Sequence, residues 1–305
     1  MKMHFKNVFA VSRTAFKAWM SKDPFRESAV IAYYAIFSLP GLLVVIIALA
    51  GYVFGRDAAN AHVMAQITAT FGADTAEQIQ NMIVSARNIN KSVWAAVIGV
   101  ITIFVGATGV FAQFQKSLNA IWEVKVIESK AGIWNIIRVR LFSFGLIVSI
   151  AFMLIVSLVI SATLSAFGGW LSGHFSDSFL MLLKGVNIVL SLIIIAVLFA
   201  LMFKYFPDSK IKWRHVWMGS LITSFLFTMG KYGLGLYFGT ATPGIGYGAA
   251  GSVILIMLWV SYSSMIVYYG AEFTHAYANT VSGKVPPTDI AASFVQPPQE
   301  KQTAH

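Results

Sequence analysis

The chain has 305 residues, 57% of them hydrophobic and 11% charged, with a mean hydropathy of +0.73. Soluble domains carry roughly 25% charge, so this composition excludes an ordinary soluble domain and implies a polytopic membrane protein. Cysteine is absent, which removes a disulfide framework and any thiolate metal site.

In chain order, residues 5–20 come first. They place Phe5, Val8, Phe9, Phe16, Trp19 and Met20 along one face and Lys6, Arg13 and Lys17 on another, the pattern of an amphipathic helix lying in a membrane interface. Ser21 to Pro24 breaks it. Six spans are then expected, at about 29–54, 93–114, 142–167, 179–205, 216–237 and 251–275, each apolar over enough residues to cross a bilayer. The first apolar run is too long for the hydrophobic region of a signal peptide. It contains Ser38-Leu39-Pro40, and proline at depth bends a helix by freeing a backbone carbonyl.

Between the first two spans, residues 55–92 predict a small helical hairpin. Asp74 or Thr75 is placed to cap its second helix, with Glu77 and Gln78 positioned for a capping box; Ile79, Met82, Ile83 and Ala86 form the apolar stripe. Beyond Ser282 the chain is rich in Pro, Gln and Ala and is expected to be disordered. The expected architecture is therefore all-α. It comprises an interfacial helix (1–27), a six-helix transmembrane domain (28–280) with an outer hairpin (55–92), and a cytoplasmic tail (281–305).

Charge sets the orientation. Outside the spans, seventeen Lys and Arg fall on the side of the N-terminal segment, the second and fourth connections and the tail. Only Arg56, Arg87 and Lys91 fall on the other side. The positive-inside rule then puts both termini in the cytoplasm. It also accounts for the net charge of +10 without a nucleic-acid partner.

The most informative stretch is 240–275. A Pro/Gly turn (Pro243, Gly246, Gly248, Gly251) precedes a long uncharged apolar run ending at Glu272. Ser261, Ser264, Tyr268, Glu272 and His275 recur at helical spacing on one face. GYGAAG at 246–251 matches a dinucleotide-binding pattern in form only, since no strand precedes it and an apolar span follows. Glycines ahead of a helix leave N–H groups free for an anion. Lys184, on a face with Asn187 and Ser191, and Lys231, on a face with Ser220, Ser224 and Thr228, lie at a similar depth near the outer ends of their spans. Two readings stand for these lysines: they snorkel from lipid-facing positions, or they face inward and form an anion site with the turn. Two readings also stand for Glu272, whose expected partners by depth are Lys204, Lys210 and Arg26. It is a structural ion pair, or a gating or coupling group in a polar pathway beside Tyr268 and His275. Ser and Thr on the third and fifth spans are expected to pack helices, and Trp170, Trp213 and Trp217 to mark the interface.

LNAIWEVK (118–125), IAYYAIFSLPGLLVV (31–45) and YGAAGSVILIMLWVSYSSMIVYYGAEFT (247–274) together resemble the YihY/BrkB family of bacterial inner-membrane proteins, historically labelled ribonuclease BN. The resemblance implies six spans, an inner-membrane location and a tie to envelope integrity or serum resistance, with lipid or lipopolysaccharide-precursor export suggested for some relatives.

Enzyme chemistry has little support in the residues. The six histidines show no metal-ligand spacing, and no nucleophile–base arrangement is evident. No metal, cofactor or catalytic residue is expected, and the nuclease label finds no basis here. The expected function is transport or export of an amphiphilic anionic, lipid-class envelope component. Lys184, Asn187, Lys231, Gly246 and Gly248 would bind it, and Pro243, Tyr268 and Glu272 would gate or couple. The alternative is a non-transporting scaffold that docks envelope proteins through 55–92. Membrane lipids are the expected partners.

Overall fold

The computed structural model describes residues 5–87, 93–127, 177–241, 247, 250–288 and 291–293. The third expected span (142–167), Trp170, Pro243, Gly246 and Gly248 lie outside them. The helices are α1 (Phe5–Ser21), α2 (Pro24–Phe54), α3 (Arg56–Phe71), α4 (Ala73–Arg87), α5 (Val93–Ile121), α6 (Asp177–Tyr205), α7 (Trp213–Ala241) and α8 (Gly251–Ser282). Two short strands, β1 (Val124–Val126) and β2 (Ala291–Ser293), add a small antiparallel sheet.

Asp23 separates α1 from α2 in the left-handed region, φ 48° and ψ 59°, a conformation a short polar side chain tolerates. Pro24 then starts α2, where its missing N–H costs nothing. The turn folds α1 back along α8. α1 buries its small residues against α8. Val11 and Ala15 pack against Phe273, with Val8 partly covered, while Phe9, Phe16 and Met20 stay exposed. Small residues let the two helices approach, and the bulky aromatics are left for an apolar surrounding.

Among the described residues, α8 is the one continuous helix both long and apolar enough to cross a membrane. The first expected span qualifies only when its arms Pro24–Leu39 and Gly41–Tyr52, bent by 57°, are taken together; the bend falls at the proline. Exposed apolar residues recur at helical spacing: Tyr33, Phe37, Val45 and Leu49 on α2, Val189, Ile193, Val197 and Leu201 on α6, and Leu221, Phe225 and Met229 on α7. A soluble helix turns this stripe inward.

The hairpin α3–α4 packs on α2 and α8 through Ala59, Val63, Ile79 and Ile83 against Ile47, Ala50 and Ile256. α4 begins at Ala73, ahead of Asp74 and Thr75, so neither of the expected caps stands at its N-cap position. The Gln78 side chain instead accepts a hydrogen bond from Ser252 at the start of α8, tying the hairpin to that helix. A second core gathers the ends of α5, α6, α7 and α8 around Leu118, Phe203, Ile211, Val216 and Val267. Where α7 crosses α8, a Cβ added to Gly219 would overlap Thr274, and one added to Gly270 would overlap Thr223. This reciprocal fit sets the helix separation.

Residues 283–288 and 291–293 are not a free tail. β2 pairs with β1 in the register Val124↔Ser293, Lys125↔Ala292 and Val126↔Ala291. Lys210 N–H donates to the Pro286 carbonyl and Thr288 N–H to that of Asp208, each at 2.9 Å. Ala291 is buried. Satisfying these backbone groups with partners from 206–212 and 124–126 orders a sequence whose composition reads as disordered.

Candidate functional site

The polar stripe of α8 divides into two parts. Ser261 shares a 3.0 Å hydrogen bond with Ser28, and Ser264 donates to the Val260 carbonyl at 2.8 Å. Thr274 likewise donates to Gly270 O at 2.7 Å. These hydroxyls are satisfied within or between helices and line no open space. Tyr268 and Glu272 differ. Both are buried, and both border a chamber of about 190 Å³ between α1, α2, α5 and α8, walled also by Trp19, Lys22, Arg26, Glu27, Lys116 and Ser117.

The partner of Glu272 is Lys22, not Lys204, Lys210 or Arg26. The Lys22 ammonium lies 2.7 Å from Glu272 Oε1 and donates to the Ile121 carbonyl at 3.3 Å. The carboxylate is 2% exposed and the lysine 24%, so the charge pair is desolvated on the acid's side only. His275 Nδ1 stands 3.9 Å from the other carboxylate oxygen, and its ring packs on Trp122. A second acid, Glu27, accepts from Gln113 at 2.5 Å and Ser117 at 2.8 Å, with Arg26 at 3.5 Å. The Tyr268 hydroxyl is buried close to Ser117 without a well-formed hydrogen bond among the described residues.

The residues expected to bind Glu272 have other roles. Lys204 donates to the Ile211 carbonyl and lies 5.9 Å from the Trp213 ring centroid. Arg26 sits at the chamber's mouth beside Glu27. The 206–212 loop has its own buried acid, Asp208, which sequence reading did not single out. Asp208 accepts from Asn119 at 2.8 Å and Gln115 at 3.1 Å, while its N–H donates to Asn119 at 2.8 Å. That network holds the loop to α5. His215 is also buried. Its Nε2 accepts from Arg214 at 3.2 Å and lies 3.0 Å from Ser282 Oγ. Burial first, then the charges of Arg214 and Lys212, lower its pKa below the ordinary histidine value.

Of the residues expected at the other end, Lys231 is exposed and borders a narrow cleft with Trp259 and Tyr262. Ser220 and Ser224, expected on its face, are buried and donate to Val216 and Leu221 carbonyls. Lys184 and Asn187 lie on α6, their side chains outside the described residues. Among the described residues no group of three His, Cys, Asp or Glu gathers for a metal.

A mostly helical chain with outward apolar stripes and a charged chamber at one end of an apolar helix has the features of a membrane protein. The comparisons with known proteins agree. Residues 15–291 match the family described as Virulence factor BrkB, and the chain belongs to that family. It is 25% identical over 251 residues to a UPF0761 membrane protein of Pseudoalteromonas atlantica, covering 80% of this chain and 78% of the relative. It is likewise 25% identical over 186 residues to a UPF0761 membrane protein of Verminephrobacter eiseniae, covering 61% of this chain but 42% of that longer protein. The figures for one from Alkalilimnicola ehrlichii are 26% over 200 residues, 63% and 41%. No solved structure matches the chain.

Proposed function

We propose that this protein is a six-span transporter of the bacterial inner membrane, with both termini cytoplasmic, that moves an amphiphilic anionic envelope component of the lipid class. The observation that carries this reading is the chamber. A membrane helix carries, where its apolar run stops, a buried carboxylate paired with a lysine from the α1–α2 turn, at the wall of a space that polar groups from that turn, α2, α5 and α8 share. An ionisable residue facing the interior of a membrane protein is costly, and such residues line ion and substrate pathways. The chamber lies on the lysine-rich, cytoplasmic side. Lys184 and Lys231 remain proposed head-group contacts at the outer end, with the 243–251 turn as outer gate. Alternating exposure of the last three spans would connect the two ends, with Glu272 coupling them. The reading involves no catalytic step and no cofactor.

One observation favours a scaffold instead: most hydroxyls on α7 and α8 bond their own helix and serve packing. Since the chain lacks cysteine, thiol labelling separates the two. Single cysteines at 184, 191, 224, 228, 264 and 268 are treated with aqueous reagent. The transporter predicts reaction at 268 and at 184 or 191, with 224 and 264 protected. Protection at every position would favour the scaffold.

A further inference from the structure

A second opening adjoins the chamber. An apolar groove of about 670 Å³ runs between α1, α7 and α8, bordered by Phe16, Trp19, Phe25, Met229, Gly233 and Met265, among others. Trp19 belongs to both spaces. Its indole N–H donates to the Met265 carbonyl at 3.1 Å, and its ring lies edge-on to Tyr269, 6.1 Å away. The groove therefore shares its Trp19 wall with the chamber and follows α7 from Leu226 to Leu234, about 12 Å at the rise of an α-helix. Two glycines make room for it. A side chain at Gly230 would meet the Tyr262 ring, whereas Gly233 faces open space.

Charge varies with depth in the chamber. Its acids lie at the floor, Glu272 2% and Glu27 22% exposed, and its cations nearer the mouth, Arg26 at 68% and Lys116 exposed. Lys22, 24% exposed, lies level with Glu27 and above Glu272. An anionic head group entering from the interface meets cations first, and an acyl chain attached to it has the groove to follow. We propose that chamber and groove form one site for an anionic phospholipid, whose phosphate takes Lys22 from Glu272 while its chain lies along Gly233. Glu272 is then the internal competitor that holds the site closed when it is empty.

This deepens the transport reading and rests on it only for the purpose of the site. Loss of leaflet-to-leaflet movement with binding retained would remove transport and leave the site standing. The test uses the full chain in detergent. Binding of phosphatidylglycerol, of phosphatidylcholine with the same chains, and of soluble glycerol 3-phosphate is counted by native mass spectrometry. Phosphatidylglycerol is expected to bind about tenfold more tightly than phosphatidylcholine. Lys22→Gln should abolish that preference, and Gly233→Leu should weaken both lipids. Glu272→Gln should tighten phosphatidylglycerol binding, the opposite sign to the other two. Lys116→Gln, at an exposed position, provides a charge variant should Lys22→Gln not fold. Equal binding of the two lipids, or no gain with Glu272→Gln, would overturn the proposal. So would glycerol 3-phosphate binding as tightly as the lipid and indifferent to Gly233→Leu, which would make the chamber a site for a soluble anion.

Discussion

His215 accepts a hydrogen bond from the Arg214 guanidinium at Nε2, which requires that nitrogen to be unprotonated, and its Nδ1 is buried without a partner among the described residues. Protonation would forfeit the bond and place a third cation beside Arg214 and Lys212. Its folded pKa lies below the unfolded value of about 6.5. As pH falls below that value the unfolded chain takes the proton first, so stability is lost with acidification. A melting temperature in detergent should fall between pH 7.5 and 5.5, and His215→Gln should flatten that dependence. An unchanged slope in the variant would remove His215 as the cause. At the same scale, Lys22→Ala leaves the Glu272 carboxylate buried and unpaired. The expected loss is about 3 kcal/mol, the low end for a broken buried pair because Lys22 is partly solvated. Lys22→Ala combined with Glu272→Leu should recover much of it, and a double variant no better than the single would contradict the pairing.

Between elements, the α7–α8 crossing depends on two glycine–threonine contacts. Gly219→Ala should destabilise by about 1–3 kcal/mol through overpacking, and adding Thr274→Ala should return part of that, a coupling readable in a double-mutant cycle. The clasp formed by Asp208 and the returning C-terminal segment makes a separate prediction. Asp208→Ala leaves Asn119 buried without its acceptor and should cost about 2–3 kcal/mol, while truncation after Ser282 should lower the melting temperature. A truncation without effect would mean that the β1–β2 pairing bears no load. These elements also show what the sequence made legible. The Ile79–Ile83 stripe of the hairpin and the polar stripe of α8 repeat along a single helix, so spacing alone reveals them. The Lys22–Glu272 pair does not, because it depends on α1 turning back at Asp23, and one residue with a left-handed backbone leaves little trace in composition. The C-terminal strand was illegible for a related reason: its order comes from backbone partners distant in the chain. The matched family region runs to 291, the first residue of β2, so residues 283–291 lie within the stretch that the family model covers.

At the scale of the molecule, the described structure is a helical membrane protein of the BrkB family in which α8 contacts α1, α2, α4, α5 and α7. A movement of α8 is thus felt at the hairpin, at α1 and at the chamber together. On the proposed function, this helix carries an anionic lipid between leaflets with Glu272 as the coupling group. The most direct measurement is transfer of labelled phosphatidylglycerol between the leaflets of proteoliposomes, comparing the natural chain with Glu272→Gln and Lys231→Ala. Faster transfer with the natural chain, reduced in both variants while they remain folded, is the predicted result. Transfer no faster than in protein-free vesicles would contradict transport of this lipid and leave a docking protein whose polar stripes only hold its helices together.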